Sequence, residues 1–369
     1  MALNTGIVIN QSSSSSVPLT NTLPIAIFGT CSTGTIASGV LTRIKSASDA
    51  TTLLGAGAGA DTLPKAVGIL QRYGCGDIIA CKITGADAAA QETDLIAKLD
   101  LLLTAIATIG EQPRLILFPT FNSDPVIVKA LAVATSTYAV AIATFTAGTT
   151  VAQALTARGT STALGTKNAR LVVCHGFLKN AVTPATLESL GLHLAGAMAN
   201  LKYGNSPLGF ELKGVNGVDV AMTFSLSDET ADPEKLNDVG VVSVNLSPDT
   251  TWLLWGSRNS SYSEGSIDPL TFINAIRARD EISMLARVRA AKLLGEPSNY
   301  ATASLLTESY RTMLSDETSL GNIRGYDKVE IDLTQTNYAA FKIWHNVGFQ
   351  IWLPLELIGV NVYISLVNQ

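Results

Sequence analysis

The sequence predicts an α/β protein with a further α+β part and a strand-like arm at each end. Three observations carry this. From residue 23 to about residue 210, short and continuously apolar runs alternate with helical segments, the pattern of a parallel sheet covered on both faces by right-handed crossovers. Beyond that, long helices and grouped β-like segments replace the alternation. Both ends are nearly free of charge: residues 1–42 hold no Lys or Arg, and nothing after Glu356 is charged.

The elements follow in order. Residues 6–10, Gly-Ile-Val-Ile-Asn, read as a short strand, and 11–16 as a flexible serine-rich linker. Pro18 and Pro24 punctuate the entry to the body. Strands are expected at 25–28, 77–83, 114–118, 139–144 and 169–174, with a turn at 29–34. Between them fall helices from Asp61, a plausible N-cap, to about Tyr73, then at 94–106, from 124 to about 135, and at 150–158. A long helix is expected at 183–201, with Pro184 at its start. The second part is read as strands at 218–225, 241–244 and 251–255 and a short helix at 232–238. The longest helix is expected from 269 to about 295, stopped by Gly295 and Pro297, and a second at 305–314. β-like segments follow at 328–333, 341–344, 350–353 and 357–367. In the last, Val360, Val362, Ile364 and Leu366 alternate with other residues at period two, the signature of a half-buried strand.

Composition excludes several classes. The net charge of -5 argues against an electrostatic nucleic-acid binder or a polybasic membrane-surface protein. Only 15% of residues are charged, where a soluble chain usually carries about 25%, so much surface is expected to be hidden in an assembly. Cys31, Cys75, Cys81 and Cys174 form no CxxC pair and read as buried, reduced thiols. No positive n-region of a signal peptide is present. The uncharged stretch 130–157 is long enough to span a bilayer, but its many Thr and Gly residues read as helix, strand and loop.

Candidate chemistry is thin. Residues 29–35, Gly-Thr-Cys-Ser-Thr-Gly-Thr, follow a strand and have the outline of a P-loop, but they lack its lysine. The glycines at 55, 57 and 59 have neither a feeding strand nor dinucleotide-binding spacing. Cys174 and His175 are adjacent in a strand and point to opposite faces. With His193 and His345 they leave a His-based triad or metal cluster poorly supplied. No cofactor is expected. Arg277, Arg279, Arg287 and Arg289 scatter around the long helix at about 100° per residue. They read as solvated or ion-paired side chains or as contacts to an acidic partner. Residues 252–259, Trp-Leu-Leu-Trp-Gly-Ser-Arg-Asn, read as an ordered structural corner.

Three blocks together resemble contractile tail-sheath proteins over nearly the whole chain. The first is Leu-Pro-Ile-Ala-Ile-Phe-Gly-Thr-Cys-Ser-Thr-Gly at 23–34, with Thr-Leu-Pro-Lys-Ala at 62–66 and Asp-Ile-Ile-Ala-Cys-Lys at 77–82. The second is Gly-Val-Asn-Gly-Val at 214–218 and Asn-Asp-Val-Gly-Val-Val at 237–242, leading to the corner at 255–259, where Asn259 stands in place of the family's usual Thr. The third is the arginine-bearing helix, the helix after it and the β-rich tail. The aromatic stretch 337–352 matches only loosely.

The resemblance implies a non-enzymatic structural subunit. Such proteins stack in rings, commonly hexameric, around an inner tube and contract to drive it through a cell envelope. It implies an open α/β outer domain (23–225) inserted into an α+β inner core domain facing the tube (226–356), with an N-terminal arm (1–22) and a C-terminal strand arm (357–369). Gly6, Ile7, Val8, Ile9, Val360, Val362, Ile364 and Leu366 would pair with neighbouring copies, and Arg277, Arg279, Arg287 and Arg289 are the candidate tube contacts. Implied partners are other copies, the inner tube protein, and baseplate and terminator proteins, without direct nucleic-acid or membrane contact. The implied location is a virion tail or tail-like particle assembled in a bacterial cytoplasm. The competing readings are a non-contractile shell or surface-layer protein and an α/β nucleotide-binding enzyme.

Overall fold

The structure is a computed structural model that describes residues 23–354 except 58–60, 226, 227, 229, 264–267 and 341. The chain begins with β1 (Ile25–Thr30), β2 (Leu41–Ile44), α1 (Ala47–Leu54), α2 (Leu63–Arg72) and β3 (Ile78–Ile83). It continues with α3 (Ala88–Leu99), a 3-10 turn, α4 (Ala105–Ile109), β4 (Leu115–Leu117), α5 (Asp124–Thr137), β5 (Val140–Thr144), α6 (Val151–Arg158) and β6 (Leu171–Cys174). Then come β7 (Phe177–Asn180), β8 (Leu187–Ser189), α7 (Leu190–Asn200), β9 (Val215–Val218), α8 (Asp232–Asn237), β10 (Val241–Leu246) and β11 (Trp252–Trp255). The last elements are α9 (Ile273–Ala291), α10 (Tyr300–Ser319), β12 (Gly325–Ile331) and β13 (His345–Gln350).

One eight-stranded sheet in the order β11-β10-β6-β5-β4-β1-β3-β2 organises the body. Its six inner strands are parallel, and β2 and β11 close the two edges antiparallel. Alternation in β1 shows how the sheet is covered. Ile25 and Ile27 enter one core with α2 and α7, while Ala26 and Phe28 enter the other with α3 and α5. Strands buried on both faces must be apolar at every position, which is why those runs are legible. A third, smaller core joins the second half of α9 to α10 and the β12–β13 ribbon through Ile282, Tyr310, Met313, Leu314 and Val329.

Several expectations are corrected. The expected boundary at residue 225 cuts through the sheet, because Val241 and Val242 of β10 pair with Val173 and Cys174 of β6. The expected helix at 183–201 is a hairpin strand, β8, followed by α7. Pro184 lies in the turn, where Asn180 Oδ1 accepts from the amides of Val182 and Thr183 at 2.8 and 2.9 Å. The strand expected at 218–225 lies at 215–218, and those expected at 341–344 and 350–353 are replaced by β13. Among the described residues the longest helix is α10, at 20 residues, and α9 begins only after a 3-10 turn at Pro269–Thr271. The sequence pattern gives no sign of β2, α1 or β7. The stretch 130–157 is indeed helix, strand, loop and helix, and no helix among the described residues is long and apolar enough to cross a membrane.

The P-loop outline proves to be a packing device. Asp61 does not cap α2; it accepts from the amide and hydroxyl of Ser32 at 2.9 and 2.8 Å. The Thr62 hydroxyl accepts from the Thr30 amide at 2.9 Å. The turn's donors are thus aimed at the chain's own side chains. A Cβ on Gly34 would sit 2.2 Å from the Leu53 carbonyl oxygen and 2.6 Å from Leu54 Cα. Overpacking against fixed backbone destabilises by about 1–3 kcal/mol. Gly34→Ala is therefore expected to lower the unfolding free energy by about that amount in urea titration.

Candidate functional site

The polar groups of the body are concentrated where its parts join. The helix α9 lies against the start of the sheet's strands. Arg170, one residue before β6, makes a two-bond ion pair with Asp280, Nη1 to Oδ2 at 2.6 Å and Nη2 to Oδ1 at 2.9 Å, and also donates to the Ala139 carbonyl at 3.0 Å. Arg114, one residue before β4, pairs with Glu281 at 2.9 Å. Burial holds the Glu281 carboxyl above its usual range, against the pull of Arg114 and Arg277. The Tyr138 ring lies beneath two guanidinium groups, Arg287 at 4.3 Å and Arg170 at 5.5 Å.

The four arginines predicted on this helix therefore separate. Arg277 is only 7% exposed. It donates to the carbonyls of Met198 and Leu201 at 3.0 and 3.4 Å, capping the end of α7, and burial draws its pKa down to about 10. A side chain so placed cannot be presented to a partner, and this corrects the expectation that it faces a tube. Arg279 lies beside Asp280 at 3.4 Å, Arg287 is exposed over Tyr138, and Arg289 lies 4.0 Å from Asp316. The strand-arm residues Gly6, Ile7, Val8, Ile9, Val360, Val362, Ile364 and Leu366 lie outside the described residues.

A second polar knot ties α2 to α7 and β8. The Lys213 amide donates to the Tyr73 hydroxyl at 3.0 Å, and with the acceptor-only Glu188 carboxylate at Nε2, His193 Nδ1 accepts from that hydroxyl at 2.8 Å. His193 Nε2 then carries the proton toward Glu188 Oε2 at 3.0 Å, and Arg72 and Asn180 also donate to Glu188. The order hydroxyl, imidazole, carboxylate is that of an activated nucleophile. Here it is sealed: Tyr73 is 2% exposed and His193 0%, and burial pushes the Tyr73 hydroxyl up to about 12. Burial also pushes the His193 pKa down. Burial would raise Glu188, but the donors from His193, Arg72 and Asn180 outweigh it and hold the carboxyl at about 2.

The remaining candidates are structural as well. His175 Nε2 meets the Thr149 carbonyl at 2.9 Å, and His345 joins β13 to α10 through Ala303 O and Thr307 Oγ1 at 3.0 and 3.1 Å. All four cysteines are buried and free. Among the described residues, no group of three or more His, Cys, Asp or Glu could hold a metal ion. The corner at 255–259 is ordered as expected: Asn259 Nδ2 donates to Leu270 O and its amide to Thr271 O, both at 2.7 Å.

A scan against protein-family models finds no match. The chain is 27% identical over 300 residues to the tail sheath protein of Burkholderia phage BcepMu, covering 77% of this chain and 62% of that relative's length. Among solved structures, it matches the contracted helical sheath of the anti-feeding prophage at a TM-score of 0.70 and 18% identity, over 98% of this chain and 99% of the other. The PVC sheath complex of an extracellular contractile injection system, also contracted, matches at 0.70 and 17%, over 98% of both chains. The sheath tail protein of Desulfitobacterium hafniense matches at 0.63 and 10%, over 94% of this chain and all of the other. The resemblance to contractile tail-sheath proteins is thus borne out, and the mixed α/β fold is theirs. The proteins matched are sheath proteins, a non-enzymatic class.

Breaking a buried ion pair by removing one partner costs about 3–5 kcal/mol, whereas replacing both partners with apolar groups costs far less. Asp280→Ala is expected to destabilise by about that amount, and Arg170→Met with Asp280→Leu by much less, as read by urea unfolding. Acid should act through the second knot. The unfolded chain takes up a proton at His below about pH 6.5 and at Glu below about pH 4.3, while folded His193 and Glu188 resist until lower pH. Stability is therefore expected to fall as pH drops below about 6.5 and again from about 4.3 toward 2. Glu188→Gln should flatten the lower phase of a Tm-against-pH curve.

Proposed function

We propose that the chain is a structural subunit of a contractile tail sheath, in a phage tail or tail-like particle. The observation that carries this reading is end-to-end correspondence with subunits of contracted sheaths, over 98% of this chain in both assemblies. On this reading copies stack as rings, commonly hexameric, around an inner tube and contract to drive the tube through a target envelope. The partners are other copies, the tube protein, and baseplate and terminator proteins, and the particle assembles in a bacterial cytoplasm. The α/β layer is the outer domain, now extended to β11, and α9 onward is the inner core. Arg279, Arg287 and Arg289 remain as the candidate tube face.

The β12–β13 ribbon supports strand exchange. Two strands alone are marginal in water, and this pair rests on α10 through Val329, Val347 and Phe349. Among the described residues it gains no third strand. Open edges recruit strands, and strand addition joins backbone hydrogen bonds to alternating side-chain pockets. The arms around Gly6–Ile9 and Val360–Leu366 of neighbouring copies have the alternation or β-propensity to supply them. No nucleotide site is required, because a metastable packing stores the work.

Deleting residues 1–10 or 360–369 is expected to leave a folded body that no longer polymerises, checked by circular dichroism and electron microscopy. A truncation that still builds normal tubes removes that arm from the mechanism. Flat sheets or closed shells from the intact chain would replace the sheath reading with a non-contractile one.

A further inference from the structure

Helix α9 has an apolar knob at its far end and an apolar groove at its start. The knob is the link from α9 to α10. Val288, Leu294, Tyr300 and Leu305 on and around it are 54%, 82%, 67% and 58% exposed. The link is braced from both sides. Gly295 turns it at a φ of +98°, where a side chain would be strained, and the Glu296 amide donates to the Leu293 carbonyl at 3.2 Å. The Asn299 side chain caps α10 by accepting from the Thr302 amide at 2.9 Å, and the Thr302 hydroxyl donates to the Pro297 carbonyl at 2.7 Å. Leu294 is therefore held out on an ordered turn, so little further ordering opposes its entry into a pocket.

The groove lies between the start of α9 and the end of β13. Pro269, Leu270, Ala275, Arg279, Gln350 and Ile351 line a cavity of about 450 Å³, a size at which proteins enclose apolar groups. Its charges are Arg279, on the wall, and Asp268, exposed beside Pro269. The knob carries exposed Lys292 and Glu296 on either side of Leu294. Each charge at the groove thus has one of opposite sign on the knob.

Knob and groove cannot meet within one copy. The 19 residues of α9 separate them by about 28 Å. The chain can fill this groove with its knob only from a second copy. A contact between two different patches is head-to-tail, and repeating it generates rings or helical filaments.

We propose that the α9–α10 link of one copy seats Leu294 in the groove beside α9 of the next copy, with Glu296 facing Arg279 and Lys292 facing Asp268. This deepens the sheath reading by naming one contact between copies, and it needs only that copies associate. Arg279 then serves that contact, and Arg287 and Arg289 are left for the tube.

The test uses the full chain. The native cysteines are buried, so introduced thiols report alone. Leu294→Cys combined with Gln350→Cys is expected to give a ladder of dimers, trimers and longer chains under mild oxidation, and each single variant no product beyond a dimer. Leu294→Asp places a charge in the apolar groove and is expected to weaken association about tenfold or more in a sedimentation series. Arg279→Glu should weaken it as well, and Glu296→Arg should restore it in that background. A double-cysteine variant that stops at dimers overturns the contact, as does a folded Leu294→Asp chain that associates like wild type. The second outcome would mean that another segment, such as a terminal arm, fills the groove. A wild-type chain that stays monomeric at every concentration overturns this contact and the sheath reading together. Normal tubes from Leu294→Asp overturn the contact alone.

Discussion

The placement of α9 is the constraint on which the rest depends. Its first half enters the sheet's core through Ile273 and Ile276, and its second half enters the small core through Ile282. A helix shared by two cores must be fixed in depth, rotation and tilt at once. Apolar packing is non-directional and sets these only loosely. The directional part comes from Arg170–Asp280, Arg114–Glu281, Arg277 on the end of α7, and Asn274 on residues 204 and 352. These contacts reach β6, β4, α7 and the Trp352 carbonyl from one helix face or its flank.

Such groups add little net stability, because desolvating the ions offsets most of their attraction. Their effect is on alternatives. A slip of α9 by one residue would leave Asp280 and Arg277 buried without partners, which is costly. The same logic applies to the Tyr73–His193–Glu188 chain, which pins α2 to α7 and β8. The body is therefore keyed in one arrangement.

Legibility from sequence followed the range of the interaction. Strands buried on both faces show as unbroken apolar runs, so β1, β3, β4, β5 and β6 were readable within a few residues. The hairpin at β7–β8 was not, because Thr183-Pro184 is as good a helix start as a turn, and the choice depends on Glu188 reaching Arg72, 116 positions away. Arg277 was misplaced for the same reason. Spacing along α9 gives its angle about the axis but not what lies opposite, and opposite it lie carbonyls some 80 residues upstream. The sheet's last two strands were assigned elsewhere because β10 pairs with β6 across a long excursion through β7–β9 and α8.

The low charge of the chain takes on a different meaning in this light. Many of its ionic groups are used inside: Arg158 donates to the carbonyls of Val239, Leu164 and Ser260, and Arg277, Arg170 and Glu188 serve internal joints. That leaves fewer charges to keep the outer surface hydrated and apart from its own copies. The exposed side chains around the ribbon include Leu333 at 74%, Leu353 at 56% and Trp344 at 51%. Exposed apolar side chains beside a two-stranded ribbon are what the strand exchange proposed above would cover.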